Sequence, residues 1–207
     1  MFTDRKDAGR QLAENLSAYR GQDAVVLALP RGGVVPGHEI AEALGLPLDI
    51  VVVRKVGHPD NPEYALCAVD ETGTRLCNEA AAAVDEAWLA EETERQVQEA
   101  KRRIAVYRGN REPMKIAGKT ALIVDDGIAT GLSMRLAVHS ARAQGAKRVV
   151  VAVPVAPPES VRELLAEGAD DVVVLLPPEE FLGAVGAHYI RFEQVEDSEV
   201  IRLLRTV

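Results

Sequence analysis

Two adjacent carboxylates, Asp125 and Asp126, stand directly before a run of small residues, Gly127, Ile128, Ala129, Thr130 and Gly131. That run can turn its backbone N–H groups toward one point at the start of a helix. There the positive end of the dipole and the Thr130 hydroxyl favour a phosphate monoester. The two acids repel each other and are tolerated where they hydrogen-bond a diol or lie near a metal. A cis-diol beside a phosphate, as in ribose 5-phosphate, satisfies both halves of the pattern. Asp-Asp-Gly alone would be an ordinary acidic turn. The apolar stretch before it and the helical pattern from about Leu132 after it give it weight.

Two further groups carry charge or backbone donors at comparable positions. Pro30, Arg31, Gly32 and Gly33 follow the apolar run AVVLAL, and Arg54 and Lys55 follow LDIVVV. An Arg-Gly-Gly triplet is a weak signal alone, since it is equally a turn. Placed after a strand, it suits a diphosphate through backbone and guanidinium. The histidines at 38, 58, 139 and 188 pair with no Cys or second His at metal-ligand spacing, which favours structural roles.

The elements that must hold these groups alternate in type. Helical spacing over residues 4–20 precedes the strand-like 24–29. Residues 35–44 read as a helix ending at Gly45, and 48–53 as a second buried strand. GHPDNPEY reads as a proline-rich loop, followed by a small hairpin, ALCAVD and TRLCN. Asn78 is the expected N-cap of a long helix over 79–108, packed by Val97, Ala100, Ile104 and Tyr107. Then come a strand at 120–124, a helix at 132–144, a strand at 148–153, a helix near 159–167 and a strand at 171–176. This alternation predicts an α/β fold with a doubly wound, mostly parallel sheet.

With those elements placed, VDDGIATG after a strand resembles the 5-phosphoribosyl 1-diphosphate (PRPP) signature of type I phosphoribosyltransferases, and closely resembles the form found in adenine phosphoribosyltransferases. RGGVVPG, VVRKVGHPDNPEYALCAV and FEQVEDSEV extend the likeness to a group of phosphoribosyltransferases without an assigned acceptor. The resemblance implies one domain over 1–207, with a core at about 22–176 and a small hood from about 177–207 plus the N-terminal helix. It implies PRPP bound by residues 30–33, Arg54, Lys55 and 125–131. Catalysis would fall to Asp125, Asp126, Arg31 and Lys55. Mg2+ would be carried largely by PRPP's own oxygens, with Asp125 and Asp126 as its candidate protein ligands. It further implies a small-molecule acceptor, a homodimer, and a mobile loop near 103–116 with Arg108 and Arg111 as its basic residues. Where 6-oxopurine enzymes carry an aspartate in the phosphate loop, this chain has Ala129, which counts against hypoxanthine or guanine. Phe181, Tyr189 and Phe192 in the hood can stack on a flat ring or form the hood's own core.

Composition excludes several other classes. With 207 residues, of which 47% are hydrophobic and 4% aromatic, the chain can build a large aliphatic core. A net charge of -8 argues against general nucleic-acid binding. The opening MFTDRKDAGRQL lacks the apolar stretch of a signal peptide, and no run approaches membrane-spanning length, so a soluble cytoplasmic protein is expected. Cys67 and Cys77 form neither a disulfide framework nor a Cys-x-x-Cys knuckle, so packing thiols in a reducing compartment are expected. A non-catalytic PRPP sensor on the same fold remains an alternative. A dinucleotide-binding protein lacks its G-x-G-x-x-G, and residues 131–135 lack the closing glycine of a hydrolase elbow.

Overall fold

A computed structural model describes residues 1–206 of the chain. Its centre is a five-stranded sheet made of β1 (Ala24–Ala28), β2 (Leu48–Ile50), β6 (Thr120–Val124), β7 (Arg148–Val153) and β8 (Asp171–Val174). The spatial order is β2-β1-β6-β7-β8, and every neighbouring pair is parallel. Alternate residues of each strand face opposite layers. Val26, Leu122 and Val150 pack with α1 (Arg5–Asn15), α2 (Val34–Leu44), α3 (Glu86–Arg108) and α6 (Asp197–Leu204). Val25, Ile123 and Val151 pack with α4 (Leu132–Ala143) and α5 (Pro158–Ala166). Each such fully buried aliphatic contributes about 1.5–3 kcal/mol by leaving water. The doubly wound, mostly parallel α/β fold is therefore as the sequence reads.

The chain leaves β1 for β2 on one side, whereas β6 lies on β1's other side. Open α/β sheets bind ligands at such a reversal, because the loops leaving the two strands diverge and open a crevice. Residues 30–33 leave β1 and residues 125–131 leave β6, so the two glycine-rich segments flank that crevice.

The segment between β2 and β6 departs from the expected layout. Residues 54–69, read as a strand end, a loop and half a hairpin, form one long antiparallel pair, β3 (Arg54–His58) with β4 (Asn61–Val69), extended by β5 (Arg75–Cys77). Gly57, Pro59 and Pro62 suggest a loop, but irregular register at Gly57 and His58 absorbs them. The helix expected over 79–108 is broken: Glu79–Ala83 is a 3-10 turn, Val84 is extended, and α3 starts after Asp85. Asp85, not Asn78, is the cap, its carboxylate accepting from the Trp88 N–H at 2.8 Å.

The expectation for the cysteines is also corrected. Cys67 and Cys77 are direct cross-strand partners on β4 and β5, with Cα atoms 4.0 Å apart, and are joined as a disulfide. Cysteine usage therefore gives no support to a reducing compartment. Among the described residues no helix is long and apolar enough to cross a membrane.

The chain ends meet beside the sheet. Phe2 bridges Tyr189, its N–H donating to the His188 carbonyl, while Phe2, Tyr189, Phe181 and Phe192 share one apolar cluster. The three later aromatics thus pack against one another and against Phe2, with Tyr189 and Phe192 stacked at 4.8 Å.

Candidate active site

Asp125 and Asp126 follow β6 directly and line a cleft of about 230 Å³ together with Lys55, Gly127 to Gly131 and Ser133. Gly131 caps α4 with φ +75°, a left-handed conformation that a side chain would strain. Among the described residues, the N–H groups of Gly127, Ala129, Thr130 and Gly131 have no partner within the chain. The Ile128 N–H does not join them, because it donates to the Val155 carbonyl at 2.9 Å. Free donors next to a helix N-terminus are suited to an anion.

The two carboxylates differ. The Asp126 N–H donates to Asp125 Oδ1 at 2.8 Å. Burial, and then the neighbouring Asp126 charge, holds the Asp125 carboxyl well above the ordinary carboxylate range, with Lys55 acting in the opposite sense. Asp126 Oδ2 accepts from Arg5 Nε at 2.6 Å, and the Asp126 carbonyl accepts from the Tyr189 hydroxyl at 2.7 Å. A hydrogen on Gly32 is what lets this arrangement close, since a Cβ there would stand 2.0 Å from Asp126 Oδ2.

A second cleft, about 260 Å³, adjoins the first through Lys55, Asp125 and Ser133. Pro30, Arg54 and Arg103 also line it. Arg54 donates to Gln96 Oε1 at 3.1 Å, and burial with the nearby Arg103 lowers its pKa. Three cations lining one cleft suit a multiply charged anion such as diphosphate.

Most of the sequence-derived residues thus meet at the crevice: Pro30, Arg54, Lys55, Asp125, Asp126 and the segment 127–131 line the two clefts. Arg31 is turned elsewhere, its Nη1 lying 3.5 Å from Asp197 at the start of α6. Asp197 also accepts from the Tyr107 hydroxyl, whose pKa burial pushes up to about 12. The expected loop cations are bolts of the fold instead. Arg108 grips Asp49 through Nε at 2.9 Å and Nη2 at 3.2 Å, and Arg111 donates to the carbonyls of Leu204 and Leu48. The α3 cation that reaches the site is Arg103, because the helix continues to Arg108 where a mobile loop was expected. Sequence reasoning missed Arg5, Arg103 and Ser133. For Ser133, its place in the first turn after the glycine run was an available signal.

An open parallel sheet whose reversal joins a phosphate-type cradle, a carboxylate pair and a cationic cleft is the layout of a phosphoribosyl transferase domain. Sequence comparison agrees: the model of the family described as "Phosphoribosyl transferase domain" matches residues 2–176, and the chain belongs to that family. In two strains of Mycobacterium tuberculosis a relative named "Putative phosphoribosyl transferase" is 44% identical over 207 residues, covering 99% of this chain and 46% of the relative. The chain thus spans about half the length of the curated relatives it matches. The crystal structure of TT1426 from Thermus thermophilus is 45% identical, with a TM-score of 0.81 over 99% of this chain and 97% of that one.

Proposed function

We propose that this chain binds PRPP with Mg2+ and transfers the 5-phosphoribosyl group to a nitrogenous acceptor, a nucleobase, releasing diphosphate. The observation that carries the reading is the Asp125–Asp126 pair sharing one cleft with the free N–H groups of Gly127, Ala129, Thr130 and Gly131, alongside the cleft of Arg54, Lys55 and Arg103. Their order fits a single ligand with a phosphate at one end, a diol in the middle and a diphosphate at the other.

In the reaction, the bond from C1 of the ribose to the diphosphate oxygen breaks, its electron pair leaving with diphosphate. A bond from the acceptor nitrogen to C1 forms, and a proton is lost from the acceptor. Residues 127–131 anchor the 5-phosphate at the start of α4, fixing C1 relative to the cations. The Asp125–Asp126 pair accepts from the ribose hydroxyls and offers negative charge beside a carbon that becomes cationic. Lys55, Arg54 and Arg103 face the charge that builds on the leaving group. Arg31, from the loop after β1, would have to release Asp197 to join them.

Among the described residues no three His, Cys, Asp or Glu side chains form a metal cage. Two adjacent carboxylates fit a divalent ion that brings most of its oxygen ligands with it, from PRPP and water. Such an ion would neutralise the diphosphate.

Calorimetric titration with PRPP and Mg2+, followed by a panel of nucleobases assayed for diphosphate release, tests the proposal. Saturable PRPP binding with release upon one base is expected. No binding of PRPP, ribose 5-phosphate or diphosphate would overturn the reading, and PRPP binding without turnover on any base would favour a sensor.

A further inference from the structure

Arg5 lies in the first turn of α1, far in sequence from the clefts, yet it touches Asp126 directly. Its Nε donates to Asp126 Oδ2 at 2.6 Å, its Nη1 donates to the Glu193 carbonyl at 2.7 Å, and its guanidinium lies 3.8 Å above the Phe192 ring. The two charged side chains are only 11% and 14% exposed, so this ion pair is shielded, unlike the surface pairs around it. Each contact uses a different part of the planar fork, which fixes the guanidinium in one orientation.

The contact leaves Asp126 available to a ligand. Asp126 still lines the cleft while Oδ2 is held, so its other oxygen is the one free to accept from a hydroxyl. Two groups from opposite ends of the chain hold this residue, Arg5 on its carboxylate and Tyr189 on its carbonyl, and the missing side chain of Gly32 leaves room for its Oδ2. Among the described residues, no arginine pairs with Asp125.

We propose that Arg5 is a positioning residue of the ribose subsite, aiming the Asp126 carboxylate at the ligand's diol from the N-terminal helix and linking that aim to the hood through Phe192 and Glu193. This role rests on the proposed binding of PRPP. It gives the site a third component, from the chain's beginning, beyond the two loops that touch the ligand.

The test compares two fragments of the ligand, one with the diol and one without. Ribose 5-phosphate and inorganic diphosphate are titrated separately, with Mg2+, into the wild type, Arg5→Met and Arg5→Lys. Methionine keeps the apolar stack on Phe192 while removing the charge. Lysine restores a charge for Asp126 but, as a single ammonium, does not reproduce the fork that also reaches Glu193. In Arg5→Met, ribose 5-phosphate affinity is expected to fall by roughly tenfold to a hundredfold, the range for losing a group that orients a ligand-binding side chain. Diphosphate affinity is expected to hold, and Arg5→Lys to fall between wild type and Arg5→Met for ribose 5-phosphate. Unchanged ribose 5-phosphate affinity in both variants, or parallel loss of both fragments, would overturn the inference, the second by showing general damage to the fold. If Arg5→Met does not fold, the same criteria apply to Arg5→Lys. Absence of binding by the wild type would overturn the proposed function itself and this inference with it.

Discussion

The clefts around Asp125 and a larger crevice of about 380 Å³, between α4 and the turn joining β4 to β5, contain similar chemical groups arranged to opposite ends. In the crevice, Asp49 accepts from Arg108 twice and from the N–H groups of Ile50 and Met114. Asp70 accepts from Thr72 twice, from the Thr74 N–H and from Ser140. These carboxylates are consumed by the fold. In the first cleft, four N–H groups have no partner in the described chain and Asp125 is held up by burial beside a second acid. The crevice is larger than either cleft, but unspent polar capacity distinguishes the two smaller clefts, and unspent capacity is what binding a polar ligand needs.

Replacing both Asp125 and Asp126 by asparagine should break that contrast most severely. Two hydrogen bonds from hydroxyls to charged acceptors are lost, about 3–6 kcal/mol, enough to remove measurable PRPP binding by calorimetry while circular dichroism stays native. Next, Asp49→Ala should lower unfolding free energy by about 3–5 kcal/mol in denaturant titration, since Arg108 is left buried without its partner. PRPP affinity of that variant should be unaltered, as Asp49 lines neither of the two clefts around Asp125.

The single variant Asp125→Asn reads the same contrast through pH. Because the folded pKa of Asp125 is raised, its contribution to stability is present below the unfolded carboxylate range and is lost as pH rises through the folded value. Asparagine does not ionise. Without ligand, Asp125→Asn should therefore be more stable than wild type at neutral pH, by ~0.5–2 kcal/mol, with the difference closing in acid. Thermal melts across pH check this, and a variant less stable at neutral pH would count against stored strain at the site. The smallest effect belongs to Ser140→Ala, about 0.5–1.5 kcal/mol in the same denaturant assay, through the hydrogen bond to Asp70.

The parts of this architecture legible in the sequence are those governed by local pattern. Buried parallel strands announce themselves as short apolar runs, and the loop 125–131 combines acids and glycines at a strand end. The β3–β4 pair was illegible because the stretch from Asn61 to Tyr64 is exposed and carries a proline and a charge, so no alternation marks it. The run Glu79–Ala83 is helix-prone by composition, yet Asp85 captures the Trp88 N–H and the helix begins there. Arg5 was invisible for another reason: its partner is 121 residues away, and an arginine at a helix start carries no mark of that distance.

That distance has a consequence for synthesis. Asp126 is held by residue 5 and by residue 189, so its final setting waits until Tyr189 has been made. A chain still growing at residue 150 already contains both acids and the glycine run, but not the tyrosine that secures them. Such contacts between distant parts of a sequence close late, because a long loop must be ordered before any of them forms. The ligand capture proposed above therefore needs residues 5 and 189 both in place, and a nascent chain released before Tyr189 leaves the ribosome with the motif but without the grip.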